Sequence, residues 1–137
     1  MALTILDAGV LIGLLDASDG HHAACINALS AAMARGDALA VPASAYAEIL
    51  VAPARRGAGA IRKVDELLVD LPADVEPITR QMAKRAAELR ARHGRTLRLP
   101  DALVLAAALH LKAERVLTTD RGWPSVGMRV EVIGTAD

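Results

Sequence analysis

A chain of 137 residues with 16 basic and 16 acidic side chains has no formal net charge, which excludes a uniformly basic, polyanion-binding surface. Hydrophobic residues make up 53% of it, yet there is no Phe, one Trp (Trp123) and one Tyr (Tyr46), so the core must be built from Ala, Leu, Val and Ile, a set that suits helices packed on a sheet. The length is that of one domain, residues 1–137, with a single core.

Leu3-Thr4-Ile5-Leu6 predicts a buried strand ending at Asp7, and Ala8 to Leu15 a short apolar helix. Asp7 interrupts this apolar run and no basic region precedes it, so it does not read as a signal sequence. After a turn at Ala17-Ser18-Asp19-Gly20, His22 to Arg35 keeps helical spacing and stops at Gly36. Within it the lone Cys25 reads as a small buried hydrophobe. Ala38 to Val41 predicts a second strand, closed by Pro42. Ser44 is placed to cap the helix that carries Tyr46, Glu48, Ile49 and Leu50. Arg55-Arg56-Gly57-Ala58-Gly59 predicts a break, Ile61 to Leu71 a helix and Val75 to Ile78 a brief strand. Thr79 should cap a long helix that ends at His93 before Gly94. Pro100 opens another, through Lys112. Arg115 to Thr119 and Arg129 to Ile133 are the last strands. Strands alternating with helices predict an α/β fold on a parallel sheet covered on both faces. No stretch approaches the ~20 apolar residues that span a bilayer. A soluble, cytoplasmic protein is expected.

Charge is unevenly spread. Arg80 to Arg98 holds seven Lys or Arg and one acid, Glu88, whereas Asp65 to Glu76 holds five acids and no base. The basic stretch suits either a phosphate backbone or a solvated helix face. Arg55, Arg56, Arg62 and Lys63 form a second basic group, open to RNA or to a protein partner.

Four acids stand out by position. Asp7 and Asp120 each end a predicted strand, where open parallel sheets bind ligands. Asp101 lies in the first turn of a helix, and Glu48 on a mainly apolar one. Singly, each has a plainer role as a helix cap, a partner of the helix dipole or a solvated side chain. Jointly, they require a cation, because two unit charges about 4 Å apart repel by roughly 4 kcal/mol at an effective dielectric of 20. All-oxygen donors favour Mg²⁺ or Mn²⁺ over Zn²⁺. Carboxylates with a basic surface point to phosphodiester hydrolysis. Asp16 is peripheral. His21-His22 point in different directions and read as a surface turn, and Gly57-Ala58-Gly59 follows no strand and is too short for a phosphate loop.

Four segments carry a resemblance: Ile5-Leu6-Asp7-Ala8-Gly9-Val10-Leu11-Ile12, Tyr46-Ala47-Glu48-Ile49, Leu99-Pro100-Asp101-Ala102-Leu103-Val104-Leu105-Ala106-Ala107-Ala108, and Leu117-Thr118-Thr119-Asp120-Arg121. They resemble, in order, the signature segments of PIN-domain nucleases, and most of all the VapC toxins of type II toxin–antitoxin modules. The resemblance implies a three-layer α/β/α fold with a parallel five-stranded sheet, Mg²⁺- or Mn²⁺-dependent endoribonuclease activity on RNA, a homodimer and a cognate VapB-like antitoxin. It makes Asp7, Glu48, Asp101 and Asp120 the catalytic, metal-binding acids, and Thr118 a supporting hydroxyl. The chain departs from the usual pattern at Ala8, where Ser or Thr is common, and at Thr119, where Asn or Arg is. Two other readings compete. A non-catalytic PIN-like module that binds RNA or protein would have lost an acid. A phospho-acceptor domain using Asp7 would need a second acid close by, where Gly9 stands, and a late lysine, whereas none follows Lys112.

Overall fold

The computed structural model describes residues 1–134. Five strands run through its centre: β1 (Leu3–Leu6), β2 (Ala38–Pro42), β3 (Ala73–Glu76), β4 (Arg115–Thr118) and β5 (Val130–Val132). They lie in the order β3-β2-β1-β4-β5, and every neighbouring pair is parallel. Parallel neighbours need long crossovers. Here α1 (Ala8–Leu15) and α2 (His22–Ala34) join β1 to β2, while α3 (Ala43–Arg56) and α4 (Ala58–Asp70) join β2 to β3. The helical hairpin α5 (Arg80–His93) and α6 (Leu99–His110) joins β3 to β4. The result is the expected three-layer α/β/α architecture.

Burial explains the continuous apolar character of the central strands. Ile5 and Leu6 of β1 and Val116 of β4 are fully buried, as strands covered on both faces must be. α6 is apolar nearly all round, with Val104 to Ala108 buried, because it packs on α5 as well as on the sheet. Cys25 is buried beside Gly13, where a Cβ would stand 2.8 Å from its sulfur, so α1 and α2 meet there at close range. Burial pushes the thiol up to about 11, with Asp19 adding to the effect, which suits a small core residue rather than a nucleophile.

Several boundaries differ from the predicted ones. α3 begins directly after Pro42, so Ser44 lies inside the first turn and is not its cap. A capping hydroxyl must precede the helix to reach its free N–H groups, and that of Ser44 is buried without a partner. Gly57 alone, at φ +118°, breaks α3 from α4, and Gly59 belongs to α4. β3 occupies Ala73–Glu76 instead of Val75–Ile78, since pairing with β2 starts at Ala73 and Pro77 has no N–H to extend the ladder. α6 stops at His110, with Lys112 at φ +54° just beyond. Thr79 does cap α5, accepting from Met82 N at 3.2 Å.

The winding decides where a ligand can sit. The chain proceeds outward from β1 to β2 and β3, then crosses back to β4 on the other side of β1. This reversal opens a crevice at the carboxyl ends of β1 and β4. The opposite edge is closed by ions. Asp37, at the foot of β2, accepts from Thr4 Oγ1 at 3.0 Å, Arg35 Nη2 at 3.0 Å and Arg115 Nη1 at 2.6 Å. Arg115 in turn faces Glu131 Oε1 at 3.3 Å, without the alignment of a hydrogen bond. Burial alone would raise the Asp37 carboxyl, but Arg35, Thr4 and Arg115 outweigh it and hold it below the usual range. The network ties four strands across positions distant in sequence. Asp37→Ala leaves the buried Arg115 without its principal partner, so it is expected to lower the unfolding free energy by on the order of 3 kcal/mol. Urea unfolding at neutral pH measures this, and a loss under about 1 kcal/mol would show that the network fastens nothing.

Candidate active site

Asp7 is the first residue past β1. Its backbone leaves the strand in extended conformation and its carboxylate caps α1, Oδ1 accepting from Ala8 N at 2.8 Å. Oδ2 accepts from Thr118 Oγ1 at 2.7 Å, across the join between β1 and β4. The Thr118 hydroxyl is fully buried and itself accepts from Asp120 N at 3.1 Å, which directs its proton towards Asp7. One threonine thus fixes the positions of two acids. Asp120 Oδ1 accepts from Gly122 N at 2.8 Å, holding the turn after β4.

Glycine at position 9 has a steric cause. A Cβ there would collide with Thr119 Oγ1, because the first turn of α1 runs against the end of β4. Thr119 therefore faces α1, and the donor that follows Asp7 is the backbone N–H of Ala8 rather than a side-chain hydroxyl.

Asp101 comes from the first turn of α6, and Glu48 from the second turn of α3, a helix that packs on both α1 and α6. Asp7 feels Asp101 and Glu48, Glu48 feels Asp101, and Asp101 feels Asp120. Asp7 is 8% exposed, and its carboxyl is raised from 3.8 to about 6, chiefly by burial and further by Asp101 and Glu48, against the hydrogen bonds from Thr118 and Ala8. Glu48, exposed at the rim, is raised by partial desolvation and by Asp101. Asp101 is raised by burial and by Asp120, although Arg98 and Trp123 favour its charged form. Trp123 Nε1 is buried and meets no hydrogen-bond acceptor in good geometry, so its influence on Asp101 is that of a nearby dipole.

The donors are carboxylate oxygens, the ligands of hard divalent cations, and each Asp7 oxygen keeps a lone pair beyond its single hydrogen bond. Among the described residues, no three acids, histidines or cysteines already form a ready-made metal shell. The fit with Mg²⁺ or Mn²⁺ therefore rests on donor chemistry and on carboxyls held above their usual range by burial first and by one another second.

The other candidates lie elsewhere. Asp16 accepts from Ser18 N and Oγ in the turn after α1. His21 Nδ1 stands 3.3 Å from Asp19, and His22 Nδ1 bonds the Gly13 carbonyl at 2.7 Å. Arg55, Arg56, Arg62 and Lys63 are exposed on α3 and α4. Two residues of the cleft, Arg98 and Trp123, had no individual signal beyond position: Arg98 precedes Asp101 by one helical turn, and Trp123 follows Asp120 by three residues.

An acid-lined crevice at the winding reversal of a parallel α/β/α sheet defines a carboxylate-centred domain. The chain belongs to the PIN-domain family, whose model matches residues 4–127. Three solved structures share the fold. A toxin–antitoxin complex from Klebsiella pneumoniae has 21% identity and a TM-score of 0.68, over 89% of this chain and 96% of that one. VapC20 of Mycobacterium tuberculosis, a sarcin-ricin loop cleaving toxin, has 19% identity and a TM-score of 0.66, over 82% and 86%. VapBC2 of Rickettsia felis, bound to a DNA fragment from its promoter, has 13% identity and a TM-score of 0.69, over 98% and 99%. No curated protein matches the sequence significantly.

The raised Asp7 carboxyl has a consequence for stability. Between its unfolded value near 3.8 and about 6, the folded state binds the extra proton, so this group's contribution declines as pH rises through that window and stays unfavourable above it. Asp7→Asn removes the charge while keeping an acceptor for Ala8 N. In chelator, the stability difference between variant and wild type should grow from pH 4 to 6.5 and favour the variant at pH 7.5 by on the order of 2 kcal/mol. Paired urea titrations across that range test it, and a less stable variant at pH 7.5 would refute the cost assigned to the buried charge.

Proposed function

We propose that the protein is a divalent-cation-dependent endoribonuclease acting as the toxin of a toxin–antitoxin pair. The observation that carries this reading is the meeting of Asp7, Glu48, Asp101 and Asp120 at the winding reversal of a PIN domain, with Asp7 buried and its carboxyl pushed up to about 6. These four acids would hold Mg²⁺ or Mn²⁺, which when bound neutralises phosphoryl charge and makes water a better nucleophile at neutral pH.

The chain's own residues do the rest. Thr118 and the Ala8 N–H fix the plane of the Asp7 carboxylate, so that donor is pre-organised. Asp120 is held by its own turn, and Glu48, at the rim, is the carboxylate best exposed to take a proton from the attacking water. The α5 start lies beside the α6 end, and at the other end of the hairpin Arg98 stands beside Asp101, with Arg92 and Arg95 shortly before it in the chain. They supply backbone contacts to RNA. Tyr46 is hydrogen-bonded to Asp65 and Trp123 is partly buried, so recognition relies on RNA shape and phosphate rather than on base stacking. The sarcin-ricin loop cleaved by the similar VapC20 is an RNA target of that kind.

An antitoxin has a surface to use. Ile12 and Leu15 are 45% and 40% exposed on α1, and with Ile49, Ala52 and Pro53 of α3 they line a cleft bordered by Arg56. A VapB-like segment with apolar anchors would cover it. Self-association as a homodimer belongs to the same proposal. Among the described residues, no helix is long and apolar enough to cross a membrane.

The test is cleavage of a structured RNA by purified protein freed of any bound inhibitor, with Mg²⁺ or Mn²⁺ and with chelator. Wild type should cut only with the cation, and Asp7→Asn should lose at least about a hundredfold in rate. Equal cutting by both proteins would expose a contaminating nuclease. Inertness of both across several RNAs would leave a binding module as the better reading.

A further inference from the structure

Arg98 occupies the residue before α6 in extended conformation, φ −72° and ψ 156°, with its carbonyl accepting from Ala102 N at 2.9 Å. Its guanidinium folds back over the first turn, and Nε lies 3.7 Å from Asp101 Oδ2. That is an ion pair too long for a hydrogen bond. Its charge also favours the ionised form of Glu48, without an ion pair between them. One guanidinium thus lies against Asp101 and acts on two of the four acids. Yet the Arg98 side chain is 73% exposed, against 13% for Asp101. Among the described residues, no other acid pairs with it and no side-chain hydrogen bond holds it in place.

An exposed pair of this length contributes almost nothing to the fold. Its meaning lies in what it opposes. A guanidinium over Asp101 partly neutralises one of a set of carboxylates that otherwise repel one another, and a dication entering the cleft must work against that positive charge. Because the Arg98 side chain is largely exposed, it can present to solvent the planar fork that suits phosphate.

We infer that Arg98 has two placements: folded over Asp101 when the cleft holds no cation, and turned outward onto a non-bridging phosphate oxygen of RNA when it holds one. The inference rests on the nuclease reading above and adds to it a residue that guards the acids and then helps seat the substrate.

The two placements predict effects of opposite sign. Without RNA, Arg98→Ala should bind Mn²⁺ roughly three- to tenfold more tightly than wild type, because a competing charge is gone. With RNA, the same variant should show a KM raised about tenfold and a kcat changed much less, the pattern for lost ground-state binding. Arg98→Lys keeps the charge without the fork, so its Mn²⁺ affinity should stay near that of wild type while its KM lies between the other two.

Isothermal titration of Mn²⁺ into the RNA-free, metal-stripped proteins reads the first effect, and steady-state cleavage of one structured RNA the second. Tighter Mn²⁺ binding together with a raised KM supports the inference. Unchanged or weaker Mn²⁺ binding by Arg98→Ala, while wild type binds Mn²⁺ and cuts RNA, overturns it and leaves the nuclease reading intact. An unchanged KM overturns the substrate half. If wild type neither takes up Mn²⁺ nor cuts RNA, the nuclease reading fails first and the inference falls with it.

Discussion

The hydrogen bond from Thr118 to Asp7 joins the ends of the two strands between which the winding reverses, and the geometry of the cleft depends on it. The Thr118 hydroxyl has no freedom of direction, since Asp120 N occupies its acceptor side. Asp7 is consequently presented as an oriented carboxylate, buried at the seam between β1 and β4 with its charge incompletely compensated. Gly9 and Thr119 are shaped around the same seam, because the first turn of α1 must run against the end of β4 for Asp7 to reach Thr118.

The two edges of the sheet use the same chemistry in opposite ways. At the amino edge Asp37 is surrounded by Arg35, Arg115 and Thr4, each donating to it, and the carboxyl is held low. At the carboxyl edge Asp7, Glu48, Asp101 and Asp120 face one another, and three of them are raised. Satisfied charges cross-link the sheet and incompletely compensated ones gather at the candidate site, a division expected where strain at a site is tolerated because the rest of the fold is secure. The arginine-rich α5–α6 hairpin connects these roles, since most of its cations solvate a helix face and Arg98 alone among them pairs with an acid of the cleft.

Local signals carried most of the architecture. Apolar runs ending in acids located β1 and β4, Thr79 and Gly94 bounded α5, and Pro100 marked the start of α6 to within a residue. Errors arose where a neighbouring element or one backbone angle decided the outcome. Ser44 seemed a cap, but β2 runs straight into α3 and leaves the hydroxyl inside the first turn. β3 was expected two residues late, because its start is set by pairing with Leu39 rather than by its own side chains.

Asp7, Asp101 and Asp120 stood out because each marks the end or beginning of an element, and a parallel sheet sends such positions to one edge, whereas Glu48 in the second turn of α3 stood out only as a carboxylate on a mainly apolar helix. The edge placement of the three follows from chain direction and hydrophobic period alone. Their electrostatic state was not legible. Asp7 and Asp37 are the same residue type, each beside a strand, yet one is pushed up to about 6 and the other held low. The difference comes from surroundings set by distant parts of the chain: burial, Asp101 and Glu48 raise Asp7 against the hydrogen bonds from Thr118 and Ala8, whereas Arg35, Thr4 and Arg115 outweigh burial at Asp37. Charge and hydrogen-bond energies depend on distance in space, which only the folded chain sets.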